Sequence, residues 1–261
     1  MDDREVGQFW DENAPAWTAL TRQGYDICRD SFNTPAFLEI LPDIKGLKGL
    51  DIGCGEGHNT RKLACLGAKI AGIDISSTFI QAAIAQENTE PLGIDYQVAS
   101  ALKLPFEDES FDFATAFMSL MDVSDYQVAL REAFRVLKPG GFLQFSITHP
   151  CFDTPHRKNV RDEKGKVYAV EIGRYFQRVE GQISEWMFSS VPEELQQQWP
   201  DFRIPYYHYT ISEWLNLLID IGFVLEKFVE PKPNDAVVTH HPNLQGSQVV
   251  AYFLQIRCRK L

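Results

Sequence analysis

Glycine recurs at every second position near the end of the run 50–57, and this run has the residues of the chain best suited to hold a small ligand. It contains Gly53, Gly55 and Gly57, and Asp51 precedes them. Glycine turns sharply with positive φ and has no Cβ to keep a ligand away from the backbone. A helix that begins near Glu56 would direct free N–H groups and the positive end of its dipole at that ligand. The pattern predicts a small molecule with an anionic group, bound against main chain.

Asp74 is the second residue of this predicted site. It closes the next apolar segment, about twenty residues after the glycine run, which is the offset that a strand, a helix and a second strand require. A carboxylate at the end of a buried strand is costly to remove from water unless donors reach it, and two neighbouring hydroxyl groups of a ligand would supply them. The alternative is a solvated aspartate in a turn, but the spacing favours the ligand contact.

Spacing also distinguishes two kinds of cofactor. The dinucleotide fingerprint G-x-G-x-x-G would need glycine at the position of His58. The chain instead has D-x-G-x-G-x-G at 51–57, which resembles the first motif of class I S-adenosylmethionine-dependent methyltransferases. Four further landmarks resemble that family in the expected order: Asp74, the segment 98–106, the segment 111–116 and the segment 135–141. Together with the glycine motif they make five, and the ordered series is more specific than any one of them.

The resemblance implies that S-adenosyl-L-methionine is the cofactor and assigns residues to it. Asp74 would accept from both ribose hydroxyls, and Asp51 would contact the amino group of the methionine part. Ser100 stands where the family usually has an acidic residue for the adenine amino group, so that hydrogen bond would lack charge assistance. Trp17 and Arg22 lie in a segment that often folds over the cofactor in this family, unless its aromatic residues only cover the flank of the sheet. The predicted cofactor contacts are Trp17, Arg22, Asp51, Gly53, Cys54, Gly55, Asp74, Ile75, Ser100, Ala101, Leu102, Phe117 and Met118.

Two histidines are candidates for a general base. Methyl transfer is an in-line attack on a sulfonium carbon, so positioning matters most, and a base helps when the acceptor is an alcohol or an amine. His149 directly follows the fifth predicted strand, where ligands of open α/β sheets bind, or it only hydrogen-bonds to backbone at a turn. His208 lies among three tyrosines and is either a substrate contact or a packed, satisfied histidine. No cluster has the spacing of metal ligands, so no catalytic metal is predicted.

Charge and composition restrict the partners. The 261 residues carry 36 acidic and 25 basic side chains, a formal net charge of −11, so attraction to a phosphate backbone is unfavourable and no nucleic acid partner is expected. No stretch reaches the length of a membrane span, and the amino terminus lacks a signal-peptide pattern. Five cysteines without a C-x-x-C pair predict neither a zinc site nor a disulfide framework. We expect a soluble, cytoplasmic protein, and the sequence does not indicate its oligomeric state.

Short apolar runs alternate with amphipathic stretches between about residues 48 and 148, a pattern typical of parallel β-α-β units. We predict an α/β fold: a doubly wound, mostly parallel seven-stranded sheet with a final antiparallel hairpin, helices on both faces and an insertion after the fifth strand. The predicted strands are Gly49–Ile52, Lys69–Ile73, Ile94–Ala99, Phe111–Phe117, Gly141–Thr148, Phe223–Val229 and Gln248–Arg257.

Two helices have clear capping signals. Ser124 with Gln127, and Thr210 with Glu213, can each form a capping box. Gly222 is the natural end of the second helix. We therefore predict helices that begin at these two boxes.

The pattern divides the chain into four segments. Residues 1–45 form a helical lid, 46–148 a Rossmann-like cofactor-binding core, 149–209 an insertion on the substrate side, and 210–261 complete the core with a helix and two strands. The insertion has weak periodicity and many aromatic residues, and a hairpin turn is expected at Glu180-Gly181. Its aromatic side chains suit a small or medium, apolar or planar acceptor.

The leading hypothesis is an enzyme that transfers a methyl group from S-adenosylmethionine to a small-molecule acceptor. The related amino methyltransferases of nucleic acids have Asn or Asp, Pro-Pro and an aromatic residue after the fourth strand, whereas this chain has Phe117-Met118-Ser119-Leu120. Two alternatives stay open: a protein-directed methyltransferase, and a module that binds S-adenosylmethionine without catalysis.

Overall fold

One seven-stranded sheet forms the centre of the computed structural model, which describes residues 1–261. Four further strands form two separate two-stranded sheets. In chain order the strands are β1 (Lys48–Ile52), β2 (Lys69–Asp74), β3 (Asp95–Val98), β4 (Phe111–Phe117), β5 (Leu137–Thr148), β6 (His156–Arg161), β7 (Val167–Gly173), β8 (Val179–Trp186), β9 (Phe202–His208), β10 (Phe223–Val229) and β11 (Phe253–Lys260).

Helices precede, connect and follow these strands. The α-helices are α1 (Asp3–Arg22), α2 (Thr34–Glu39), α3 (His58–Cys65), α4 (Ser77–Thr89), α5 (Tyr126–Val136), α6 (Glu193–Gln196), α7 (Ile211–Ile221), α8 (Asp235–His240) and α9 (Gly246–Val249). A π-helix spans Arg29–Asn33, and short 3-10 helices span Leu120–Asp122 and Pro242–Gln245. None of these helices combines the length and apolar character that a membrane span requires.

The strand order of the main sheet is β3-β2-β1-β4-β5-β11-β10. Strands β1 to β5 are parallel to one another, whereas β11 is antiparallel to both β5 and β10. The predicted α/β fold, with its mostly parallel sheet, antiparallel end and insertion after β5, is confirmed. The order of the strands reverses between β1 and β4, and the carboxyl edge at such a point is where open α/β sheets bind ligands.

The starts of two predicted strands were wrong. β5 begins at Leu137 rather than Gly141, because Leu137 already pairs with Phe111 of β4. β11 begins at Phe253 rather than Gln248, because residues 246–249 form α9. An apolar run alone does not distinguish a short strand from a short helix, which explains the second error.

Asp125 caps α5, so the predicted capping box of Ser124 was wrong. The Asp125 carboxylate accepts from the main-chain N–H of Gln127 at 3.0 Å and of Val128 at 3.1 Å, and the helix begins one residue later than Asp125. A carboxylate is as good an N-cap as a serine hydroxyl and also interacts favourably with the helix dipole.

The capping box at the start of α7 is confirmed. The main-chain N–H of Thr210 donates to the Glu213 carboxylate at 2.7 Å, and the Thr210 hydroxyl accepts from the main-chain N–H of Glu213 at 3.3 Å. Gly222 ends the helix in the left-handed region, with φ 110°.

The insertion contains β6 to β9, and the expected turn at Glu180-Gly181 was wrong. β8 runs through both residues, and Gly181 has φ 77° at the point where the register between β8 and β9 shifts. An isolated glycine in a strand often marks such a bulge rather than a turn.

Hydrophobic clusters cover both faces of the sheet, because neighbouring residues of a strand point to opposite faces. Phe113 belongs to a cluster that includes Leu63 of α3 and Ile80 of α4. Its neighbour Ala114 belongs to the larger cluster, together with Trp214 of α7. Helices on both faces thus fix the strands whose carboxyl ends carry the site.

Candidate active site

The turn from β1 into α3 is built on three glycines with positive φ: 72° at Gly53, 56° at Gly55 and 88° at Gly57. A Cβ on Gly53 would lie 2.3 Å from the Cβ of Ser119, and one on Gly57 would lie 2.4 Å from the hydroxyl of Tyr96. Packing therefore requires glycine at 53 and 57. At Gly55 no atom lies within 4 Å of the added Cβ, so this glycine leaves space. The helix itself begins at His58, slightly later than predicted.

Asp74 lies at the end of β2, beside this turn. Its Oδ2 accepts from the main-chain N–H of Gly55 at 2.8 Å, and its Oδ1 accepts from that of Ser76 at 2.9 Å. Burial raises the pKa of Asp74 to about 6, although the two N–H donors lower it. Each carboxylate oxygen keeps a further lone pair, so the side chain can still accept from ligand hydroxyls.

Asp51 is 2% exposed and lies at the bottom of the site. Its two oxygens accept from the hydroxyls of Thr60 at 2.6 Å and Thr115 at 2.8 Å. Burial raises the pKa of Asp51, and these two hydrogen bonds oppose the increase. Through these two hydrogen bonds, Asp51 connects β1 to the first part of α3 and to the middle of β4.

A cavity of about 840 Å³ extends from the glycine turn to the insertion. This volume is near the upper end of the range, roughly 300–1,000 Å³, of small-molecule and cofactor sites. Ten of the predicted site residues line it: Trp17, Asp51, Gly53, Cys54, Gly55, Asp74, Ile75, Ala101, Phe117 and Met118. Five do not: Arg22, Ser100, Leu102, His149 and His208.

Ser100 and Leu102 are joined by a hydrogen bond within a local turn. The Ser100 hydroxyl accepts from the main-chain N–H of Leu102 at 3.0 Å. Their neighbours Ala99 and Ala101 line the cavity instead, so this part of the wall is apolar.

Arg22 connects α1 to the rest of the site without lining it. Its Nε lies 3.4 Å from the Glu56 carboxylate, and its terminal nitrogen donates to the carbonyl of Ala82 at 3.1 Å. Glu56 also faces Arg29, at 3.6 Å. These contacts fix the end of the glycine run against two amino-terminal arginines.

Both histidine candidates are buried outside the cavity. His149 is 3% exposed; its Nδ1 accepts from the main-chain N–H of Cys151 at 3.2 Å, and its Nε2 donates to Glu230 at 2.9 Å. His208 donates from Nε2 to the carbonyl of Tyr175 at 2.7 Å. Burial lowers the pKa of His149, while Glu230 opposes the decrease. The geometry favours structural roles for both rings.

Among the acidic residues of the cavity wall, Asp122 and Asp153 were missed from the sequence. Asp122 ends the 3-10 helix after β4, and Asp153 follows β5 by five residues. The signal that could have identified them is their position just beyond the carboxyl ends of two parallel strands.

An aromatic cluster forms the wall between α1 and the insertion. The ring of Trp17 lies 4.8 Å from Phe202, 4.9 Å from Phe188 and 5.8 Å from Trp186 between centroids. The first helix and the insertion thus share a small core at the edge of the cavity. No group of three or more His, Cys, Asp or Glu side chains is arranged to hold a metal ion.

Comparison with known proteins agrees with this geometry. Residues 50–145 match the family model described as a methyltransferase domain. A crystal structure of an S-adenosylmethionine-dependent methyltransferase from Mesorhizobium loti is 30% identical, with a TM-score of 0.69, and the match covers 86% of this chain and 96% of that one.

Two relatives are similar over shorter parts. An O-methyltransferase of Penicillium expansum is 32% identical over 171 residues, 58% of this chain and 62% of that protein. The demethylmenaquinone methyltransferase of Staphylococcus aureus strain MRSA252 is 41% identical over 103 residues, 38% of this chain and 42% of that protein. The chain spans less than two thirds of the length of these curated relatives. With the fold and the site, these matches show that the chain belongs to the family of S-adenosylmethionine-dependent methyltransferases.

The cofactor of this family is S-adenosylmethionine, and the residues of the cavity fit it at two places. The space above Gly55 allows a ligand to touch the main chain, because no side chain of the protein fills it. Asp74, 9% exposed and lining the same cavity, supplies the acceptor that a pair of ribose hydroxyls needs.

Proposed function

We propose that the protein transfers a methyl group from S-adenosylmethionine to a small-molecule acceptor. The observation that carries the proposal is one cavity with two different ends. At one end are the glycine turn and Asp74. At the other are aromatic and polar residues of α1 and the insertion. Such a cavity has room for a cofactor and an acceptor side by side.

The cofactor end would be held by residues with distinct roles. Asp74 would accept from the ribose hydroxyls, and main chain at Gly53 and Gly55 would lie against the methionine part. Ala101 and Ile75 would cover the adenine with apolar surface. Asp51 would reach the amino group of the methionine part, directly or through water.

When bound, S-adenosylmethionine supplies an electrophilic methyl carbon, whose bond to sulfur breaks with the electron pair left on sulfur as the acceptor atom bonds to carbon. The residues of the chain orient the acceptor in line with that carbon and exclude water from it. Trp17 and the aromatic residues packed against it close the side of the cavity that faces α1. Rigid aromatic walls are suited to both tasks.

Two further observations support a small-molecule acceptor. The names of two relatives specify an O-methyltransferase and a demethylmenaquinone methyltransferase. The formal net charge of −11 makes approach to a nucleic acid unfavourable.

Calorimetry and isotope transfer test the proposal. The protein is titrated with S-adenosylmethionine and S-adenosylhomocysteine, and Asp74→Ala should weaken both more than tenfold. Asp220→Ala changes an exposed aspartate of α7 and is the matched control. [Methyl-14C]-S-adenosylmethionine is then incubated with a cell extract separated into low-mass and protein fractions. We expect label in the low-mass fraction. Label only in protein, or binding without any transfer, would contradict the proposal.

A further inference from the structure

We propose that Asp153 is the general base that takes the proton of the methyl acceptor, and that the acceptor is a molecule with a hydroxyl group. The proposal rests on the methyl transfer proposed above. It adds the substrate class and the residue that takes the acceptor's proton.

Both carboxyl groups line the cavity at the carboxyl edge of the sheet. Asp122 follows β4 and Asp153 follows β5, and these strands are neighbours. Two hydrogen bonds fix the main chain of Asp153. Its N–H donates to the carbonyl of His149 at 2.8 Å, and its carbonyl accepts from the Tyr206 hydroxyl at 3.1 Å. Asp153 is therefore a fixed group on the cavity wall.

The surroundings of the two carboxyl groups differ, so that one of them holds a proton more readily than the other. Burial raises the pKa of both, and the charge of Asp153 raises that of Asp122 further. For Asp153 the increase is opposed by the neighbouring Thr148 hydroxyl and by the guanidinium charge of Arg157. Asp122 has no such opposing group. A proton shared by the pair therefore favours Asp122, and Asp153 is the ionised partner.

The hydroxyl of Tyr207 indicates that a ligand completes this part of the cavity. Tyr207 lines the cavity, is 6% exposed, and its buried hydroxyl has no hydrogen-bond partner. Burial raises the pKa of Tyr207 to about 12, so the hydroxyl stays protonated. Tyr207 and Asp153 also line one smaller pocket together, which places the tyrosine near this carboxyl group. A buried donor without a partner is destabilising, and a bound polar ligand would remove that penalty.

Arg157 indicates which kind of acceptor fits. It lines the same cavity, and its Nε is buried without a hydrogen-bond partner. The wall thus offers donors at Arg157 and Tyr207 and an acceptor at Asp153. A hydroxyl with a second oxygen nearby complements all three, whereas an ammonium group has only donors and meets the charge of the guanidinium. The titratable and charged groups that face the pair are Arg157, Tyr206, Tyr207, His208 and Tyr252.

The proton step balances with the transfer described above. As the acceptor oxygen bonds to the methyl carbon, its O–H bond breaks and the proton passes to a carboxylate oxygen of Asp153. The products are a methyl ether, a neutral thioether and a protonated Asp153, which later releases its proton to water. No oxidant or further reactant is needed.

The first test measures the protonation of the aspartate side chains in the absence of cofactor and acceptor. Side-chain carboxyl groups labelled with 13C are titrated by NMR in the wild type and in Asp153→Asn. We expect the Asp122 signal to titrate well above the usual aspartate range in the wild type and at lower pH in the variant, because a neighbouring charge is gone. The same titration of Asp122 in both proteins would overturn the pairing.

The second test determines which atom of the acceptor is methylated and whether Asp153 acts as the base. [Methyl-13C]-S-adenosylmethionine is incubated with the low-mass fraction of a cell extract, and the 13C shift of the product tells whether the new methyl group is on oxygen, nitrogen or carbon. We expect methyl on oxygen. Asp153→Asn should lower turnover about 100-fold or more and abolish its rise with pH, with unchanged affinity for S-adenosylhomocysteine.

Two comparisons complete the test. Asp122→Asn imitates the protonated side chain and should keep turnover within about tenfold. Asp201→Asn changes an exposed aspartate of the insertion and should behave as the wild type. Methyl on nitrogen or carbon, or full turnover in Asp153→Asn, would overturn this proposal while the proposed methyl transfer survived. Cofactor binding without transfer to any acceptor would overturn both.

Discussion

The main-chain N–H of Gly55 donates a hydrogen bond of 2.8 Å to the Oδ2 atom of Asp74, so the glycine turn and the end of β2 hold each other in place. A second donor, the N–H of Ser76, fixes the other carboxylate oxygen. Both oxygens are therefore oriented by the protein itself. A ligand that uses them would meet a site that needs little rearrangement, which lowers the free-energy cost of binding.

Gly55→Ala should weaken binding of S-adenosylhomocysteine at least about tenfold while the protein stays folded. The reason is that the new Cβ would enter space that no protein atom occupies within 4 Å, at the wall of the cavity. Alanine at φ 56° also introduces backbone strain of roughly 1–2 kcal/mol. Calorimetry gives the affinity, and thermal unfolding gives the change in stability.

Gly93→Ala separates strain from obstruction. Gly93 has φ 79° and open space around its Cβ position, but it lies in the loop before β3 and does not line the cavity. This variant should lose similar stability and keep its affinity. Equal losses of affinity in both variants would mean that strain, and not the methyl group, impairs binding.

The affinity for S-adenosylhomocysteine should depend on pH through Asp74. Burial raises the pKa of this carboxyl to about 6, and ligand hydroxyls donate more strongly to the ionised form. Affinity should therefore rise with pH to a plateau above pH 6. Below pH 6 it should fall by up to about tenfold per pH unit, the limit for one linked proton. Calorimetry between pH 5 and 8 measures this curve.

Asp74→Asn tests the assignment, because asparagine has no proton to lose in this range. The variant should bind more weakly at pH 8 and show a flatter dependence on pH. A curve as steep as that of the wild type would assign the proton to another group of the cavity.

The sequence predicted which residues lie together around the glycine turn, because its signals there are local. The glycines at 53, 55 and 57 and the aspartate at 74 occur at a spacing that β-α-β geometry fixes. Alternating apolar runs likewise predicted the strands, since β1, β2, β4 and β5 are largely buried on both faces. The bounds of β11 were less predictable, because the apolar residues before it form α9 instead.

Contacts between distant residues explain what the sequence did not show. His149 occupies the expected position after β5, but its partner Glu230 is 81 residues away, and nothing in the pattern indicates that pairing. Asp122 ends a short 3-10 helix and Asp153 lies in the loop after β5, and only the fold brings them to one wall. Ser100 was chosen by position, yet its hydroxyl is used in a turn.

Asn13→Ala should loosen the contact between α1 and the insertion. The Asn13 side chain donates to the carbonyl of Arg203 and accepts from its N–H, both at 3.0 Å, so it covers the free edge of β9 as a neighbouring strand would. Its loss leaves both groups of the Arg203 backbone unpaired, at a cost of about 1–3 kcal/mol. Amide exchange at Arg203 should accelerate, as measured by hydrogen exchange.

Gln8→Ala is the control for this change. Gln8 is an exposed amide side chain of the same helix and should leave exchange at Arg203 unchanged. If Asn13→Ala also left exchange unchanged, α1 would be held by the aromatic cluster around Trp17 alone.

His149→Gln should change how stability depends on pH. Burial lowers the pKa of His149 in the folded protein below its ordinary value of about 6.5. As pH falls below 6.5, the unfolded chain takes up a proton that the folded chain refuses. The free energy of unfolding that neutral His149 contributes is therefore present above pH 6.5 and is lost as pH falls towards the lower, folded pKa, by at most about 1.4 kcal/mol per pH unit.

Denaturant unfolding of wild type and variant between pH 5 and 7.5 measures this difference. The wild type should lose more stability than His149→Gln over that range, and His240→Gln, at an exposed histidine of α8, should follow the wild type. Affinity for S-adenosylhomocysteine should be equal in all three proteins, because His149 does not line the cavity. If His149→Gln lost that affinity while its stability depended on pH as in the wild type, His149 would be a ligand contact, and its buried pairing with Glu230 would be contradicted.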